Sequence, residues 1–140
     1  MANYSIKAFT LVELLVTIAI ISILASIAIT GITNASRDSN IRLAEQQQAV
    51  LQTALTAWIV NSSNTNGIEA TRTNYLTLLQ GGHAQVFQAI QIYLDPKIRN
   101  IFNATSSGIT STALASAGRI LTFTTWNGTD PPFVQQQNVP

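Results

Sequence analysis

The sequence predicts an α+β protein: a long amino-terminal helix with a membrane-spanning first half, then a small head of short helices and an antiparallel β-hairpin or meander. Three observations carry that expectation. Leu14 to Ile32 contains no charged residue, Pro, Asn or Gln. From Thr33 to Val60 no Pro or Gly interrupts the chain, and apolar residues recur at helical spacing. The last third is instead rich in Thr and β-branched residues on either side of Gly118.

Composition narrows the function classes. Charged residues are 9% of the 140, against roughly 25% in soluble domains, and the mean hydropathy is +0.25. A formal charge of +1 leaves no electrostatic footprint for nucleic acid. The chain has no Cys and a single histidine, His83, which follows two glycines and reads as a loop residue. That inventory lacks a disulfide framework, a thiolate metal site and a nucleophilic triad, so the expectation is not an enzyme and no cofactor.

The front segment sets the main question. At about 1.5 Å per residue, Leu14–Ile32 spans about 28 Å, close to the hydrocarbon thickness of a bilayer. Glu13 stands at its edge, and a carboxylate inside a membrane-length run is costly, on the order of 3 kcal/mol at the bilayer centre. One reading is a secretory signal peptide, with Lys7 as its basic region and Ser26-Ile27-Ala28 as a small-x-small cleavage site. The run is longer than a usual signal core and has Glu13 at its front, which both count against it. A second reading is a plain single-pass anchor with Glu13 wet at the interface.

The third rests on a stretch of sequence. "KAFTLVELLVTIAII", from Lys7, combines a basic residue, a small residue, Phe-Thr-Leu-x-Glu and then a long apolar run. It resembles the prepilin-type cleavage and methylation motif that opens type IV pilins and type II secretion pseudopilins, over residues 7–32. The resemblance implies cleavage by a prepilin peptidase between Ala8 and Phe9, followed by N-methylation of Phe9. It implies that Glu13 pairs with the free amine of a neighbouring subunit, and that Leu14, Leu15, Ile18, Ile21, Leu24 and Ile27 belong to the membrane segment and then to the filament core. An amine and a carboxylate buried together each remove the other's desolvation problem, which makes the pair a registry device. Cleavage also removes Lys7, leaving six basic side chains against six acidic ones. Two departures stand out: the family usually has Gly before the cut where this chain has Ala8, and its major pilins often carry Pro where this chain has Thr30. The implied partners are copies of itself and related pilin-like subunits, prepilin peptidase, an inner-membrane assembly platform and the membrane. The implied location is the bacterial inner membrane, single-pass with a cytoplasmic amino terminus, and then a periplasmic or extracellular filament.

The elements follow in order. Residues 1–8 are the expected leader, residues 9–60 one long helix of about 78 Å, with its transmembrane half over 9–32, and residues 61–140 the head. Ile41, Ala44, Leu51, Leu55 and Trp58 keep one helical face apolar, while Arg42, Glu45, Gln46, Gln52, Thr53 and Thr56 fall mainly elsewhere. "NSSNTNG", Asn61 to Gly67, reads as the helix breaker. "NYLTLLQGG" reads as a brief helix ended by Gly81-Gly82, and "AQVFQAIQIYL" as a helix stopped by Asp95-Pro96. "GITSTALA" and "GRILTFTTW" read as an antiparallel pair, with Ile120, Thr122 and Thr124 on one face and Leu121, Phe123 and Thr125 on the other. These strands need the helix face carrying Leu51, Leu55 and Trp58 to pack against. "NGTDPPFVQQQNVP" reads as turn and extended tail. Calcium at Asp95 and Asp130 is a weak alternative, because hard cations need several oxygen ligands close together and turn initiation suits Asp-Pro better. Trp58 and Trp126 read as core.

The function these readings point to is structural: a filament subunit, with a type II secretion pseudopilin preferred over a major or minor type IV pilin. The rival of another class is a secreted or membrane-anchored binding module whose front merely resembles the motif.

Overall fold

The computed structural model describes residues 9–139, the Thr30 side chain excepted. It has the α+β layout expected: among these residues, five α-helices, one 3-10 turn and four short strands, the fifth helix falling between the second and third strands. The chain divides into two compact units between Ser36 and Arg37.

The first unit holds the front of helix α1, Leu11–Asn66. Here the helix is apolar on every side and buries nothing: Leu14, Leu15, Ile18, Ile21, Leu24 and Ile27 are all at least half exposed. Two of its hydroxyls are tied back into the helix, Thr17 Oγ1 donating to the Leu14 carbonyl at 2.8 Å and Ser22 Oγ to the Ile18 carbonyl at 2.7 Å. A polar side chain that satisfies itself this way costs little in an apolar surrounding. The backbone stays helical through Thr30, Gly31 and Ile32.

The second unit packs everything else around the remainder of α1. Ala44, Leu51, Leu55 and Trp58 are buried as the helical spacing predicts, joined by Ala54 and Ile59, while Ile41 is only half-buried. The helix does not break at Asn61: it continues to Asn66. Asn, Ser and Thr are weak helix formers but do not forbid the conformation. Thr65 Oγ1 bonds the Asn61 carbonyl at 3.0 Å, and Asn61 Nδ2 donates to the Tyr93 hydroxyl at 2.9 Å. What stops the helix is Gly67, whose φ of 84° a side chain rarely adopts.

Helix α2, Ile68–Gln80, starts well before the Asn74 expected and buries Thr71 and Tyr75, one turn apart. It ends at Gly81-Gly82. Gly82 is required twice over: its φ is 101°, and a Cβ there would meet Ser106 Cα at 2.9 Å. Helix α3, His83–Ile90, buries Val86, Phe87 and Ile90, then tightens into a 3-10 turn over Gln91–Tyr93. Asp95 begins a new element rather than only a turn. Its carboxylate accepts from the Lys97 N–H at 2.8 Å and, with Pro96 in the first position, caps α4, Pro96–Arg99.

The sheet departs most from expectation. Strands β1 (Asn103–Ala104) and β2 (Ile109–Thr110) are short, and Thr112–Ser116 is helix α5, not strand. Ser111 explains the switch: its Oγ accepts from the Leu114 N–H at 3.2 Å, starting a helix over the good helix formers Ala113, Leu114 and Ala115. Strand β3, Arg119–Phe123, pairs antiparallel through five residues with β4, Val134–Asn138, in the segment expected to be a tail. The order β1-β2-β3-β4 is a meander, with Leu121 and Phe123 in the core. Strand β4 is also tied to α1: Gln52 Oε1 accepts from the Val134 N–H at 2.7 Å, and Gln48 Nε2 donates to the Val134 carbonyl at 2.8 Å. Two glutamines thus satisfy both edge-facing backbone groups of Val134, at the start of the edge strand.

Candidate functional site

The candidate site is the start of α1. Thr10 precedes the first helical residue, and Glu13 is three positions on, a T-x-x-E spacing. The two close a capping box: Thr10 Oγ1 accepts from the Glu13 N–H at 3.2 Å, and Glu13 Oε2 accepts from the Thr10 N–H at 2.9 Å. The Thr10 hydroxyl also donates to the same carboxylate oxygen, at 3.0 Å. Glu13 therefore has a local task within one chain. It satisfies an orphan donor at the helix start, and its negative charge sits at the positive end of the helix dipole. The other oxygen, Oε1, has no hydrogen bond among the described residues, so Glu13 can serve its own helix and still accept from a second donor.

Phe9, beside this box, is 75% exposed, and Leu11 and Val12 are similarly open. Ala8, the residue before the expected cut, lies outside the described residues. Leu14, Leu15, Ile18, Ile21, Leu24 and Ile27 distribute around the helix instead of forming one stripe. Soluble proteins rarely expose so large a contiguous apolar area. By length and composition this helix can cross a membrane.

The head offers no comparable chemistry. Among the described residues no group of three or more His, Asp or Glu is placed to hold a metal. Asp95 is occupied as a helix cap, and Asp130 sits in an exposed turn bridged to Asn127. Trp58 and Trp126 are buried against Tyr75. His83 is the first residue of α3, not a loop residue. Its ring lies 6.0 Å from that of Phe123, and Nδ1 accepts from the Phe123 N–H at 3.2 Å. The proton of the neutral ring is thereby assigned to Nε2.

Burial lowers the His83 pKa below its ordinary value of 6.5. The unfolded chain then binds more protons than the folded one as the pH falls through 6.5, so stability declines from there downward and is fully present above it. Protonation also removes the lone pair that holds Phe123. Thermal unfolding is expected at a lower temperature at pH 5.0 than at pH 7.5. The variant His83→Asn, which offers a neutral acceptor, should lose most of that difference; an unchanged pH dependence would assign it to other groups.

Comparison with curated proteins and with solved structures found no match. The family comparison did: residues 4–29, which contain the capping box and most of the apolar run, match the prokaryotic N-terminal methylation motif, and the chain carries the type IV pilin-like prepilin signature.

Proposed function

We propose that this chain is a structural subunit of a pilus-like filament, made as a membrane-anchored precursor. A prepilin peptidase cuts it between Ala8 and Phe9, and the new Phe9 amine is methylated. The observation that carries this reading is the prepilin signature running directly into an apolar helix exposed on all sides. Such a helix has two possible covers, lipid before assembly and the same helix of other copies afterwards. Moving from one to the other exchanges apolar surroundings for apolar surroundings. The drive must come from close packing and from polar pairs, not from the hydrophobic effect.

Glu13 supplies the pair. Cutting before Phe9 creates a positive charge, and the carboxylate of a neighbouring copy neutralises it at one axial offset. Processing and assembly are coupled, because an uncut chain lacks that amine. The subunit sits in the bacterial inner membrane with its amino terminus in the cytoplasm and its head outside, and it is drawn into the filament by an inner-membrane assembly platform. Within the class, a type II secretion pseudopilin is preferred to a type IV pilin, on the absence of Cys and on Thr30 in place of Pro.

Intact mass and amino-terminal sequencing of the chain from its native membrane or from sheared filaments test the proposal. The expected species begins at Phe9 and carries one extra methyl group. A start at Ile29 would mean an ordinary secreted protein, and a retained leader a plain anchor.

A further inference from the structure

Four charged residues, Arg37, Asp38, Arg42 and Glu45, open the second unit, and all are exposed. Among the described residues the one ion pair within 4.0 Å is Arg72 with Glu69. None of the four therefore has an ionic partner among the described residues. At about 100° per residue, Asp38, Arg42 and Glu45 fall within about 60° of one another on α1. Together with Ile41 they line a shallow groove along it.

We infer that this face of α1 is a contact between copies of this chain, packed parallel and displaced by one helical turn, with Asp38 of one copy against Arg42 of the next. The inference rests on the filament reading above. The sign pattern is self-complementary at one turn only. In register, Asp38 would face Asp38; displaced by seven residues, Asp38 would face Glu45. A displacement of four places Asp38 against Arg42, and one of three places Arg42 against Glu45. Interaxial distances of about 8–10 Å are within reach of an Arg and a carboxylate. An antiparallel pair would match the same charges in a closed dimer, but two copies anchored by the same segment in one membrane leave it in the same direction. The parallel, displaced contact is heterologous: each copy offers Asp38 to one neighbour and Arg42 to another, so the contact repeats without closing. The same four-residue interval separates Phe9 from Glu13. The competing use of these charges is a pair within one helix, since an acid four residues before a base is the favourable order; in this structure the two are not paired.

The test compares the yield of the chain in sheared filaments for the natural chain, for Asp38→Arg and Arg42→Asp separately, for both substitutions in one chain, and for the two single-variant chains expressed together. Each single reversal is expected to lower the yield about threefold to tenfold, as when an exposed attraction becomes a repulsion. Together the two variant chains should recover, because each presents the charge the other lacks, although like charges face each other within each chain. Single variants assembling as the natural chain does would overturn the inference. So would rescue by both substitutions in one chain without rescue by the mixed chains, which would place the pair within a single helix. If the natural chain itself is absent from filaments, the filament reading falls and this inference falls with it.

Discussion

Tyr75→Ala is expected to unfold the head at moderate temperature, with a large loss of stability from one substitution. Tyr75 is completely buried, with its ring 6.3 Å from that of Trp58 and 6.0 Å, edge-on, from that of Trp126. It therefore joins α1, α2 and the loop after β3 in one aromatic cluster. Its hydroxyl donates to the Thr124 carbonyl at 2.6 Å, and burial raises the phenol pKa far above its ordinary value, so it remains a neutral donor. Truncating a buried aromatic to Ala costs about 3–5 kcal/mol, out of the roughly 5–15 kcal/mol that holds a typical domain folded. With no Cys there is no disulfide to offset the loss. The melting temperature should fall by at least about 12 °C, taking about 4 °C per kcal/mol for a head of this size. Tyr75→Phe keeps the ring and removes one hydrogen bond, so it should cost only about 1 kcal/mol. Thermal unfolding of the full chain in detergent, followed by near-ultraviolet circular dichroism of the two Trp residues, separates the variants. Equal losses for Ala and Phe would mean that the hydroxyl, and not the packed ring, carries the stability.

That cluster also shows how far the sequence could be read. Helical spacing identified Leu51, Leu55 and Trp58 as the buried face because period and burial are two expressions of one geometry. Strand β3 was equally legible, since Arg119–Phe123 follows a glycine and is rich in strand formers. Its main partner was not. Val134–Asn138 is mostly Gln and Asn, and its strand conformation comes from ladder pairing with β3 and from Gln48 and Gln52, more than eighty residues earlier. No local window contains that information. Helix α5 failed for the opposite reason: its Ser cap and Ala-Leu-Ala run were local signals, outweighed by the Thr content around them. At the candidate site the T-x-x-E spacing of Thr10 and Glu13 is visible in the sequence, and reading Glu13 only as a charge in an apolar run misses it. The structure gives that carboxylate a capping role beside the pairing role proposed for it, and the two predict different mutants.

Glu13→Ala removes both roles, whereas Glu13→Gln removes only one. An amide oxygen can still accept from the Thr10 N–H, so Gln preserves the start of the helix, but it carries no charge to meet a neighbour's amine. Membrane insertion should be unimpaired in either variant, because losing a carboxylate from an apolar segment removes a cost. Assembly should fail in both. An amine left without its partner in the filament core costs about 3–5 kcal/mol, roughly a hundredfold to several thousandfold in incorporation at about 1.4 kcal/mol per decade. Losing the cap alone costs about 1 kcal/mol, which incorporation would show as a loss of less than tenfold. The ratio of chain in sheared filaments to chain in the membrane fraction, measured for the natural protein and the two variants, distinguishes the roles. Gln as defective as Ala assigns the failure to the missing charge. Gln assembling like the natural chain while Ala fails would make Glu13 a helix cap and leave the Phe9 amine to be neutralised elsewhere. Normal filaments from Ala would remove Glu13 from the assembly mechanism altogether.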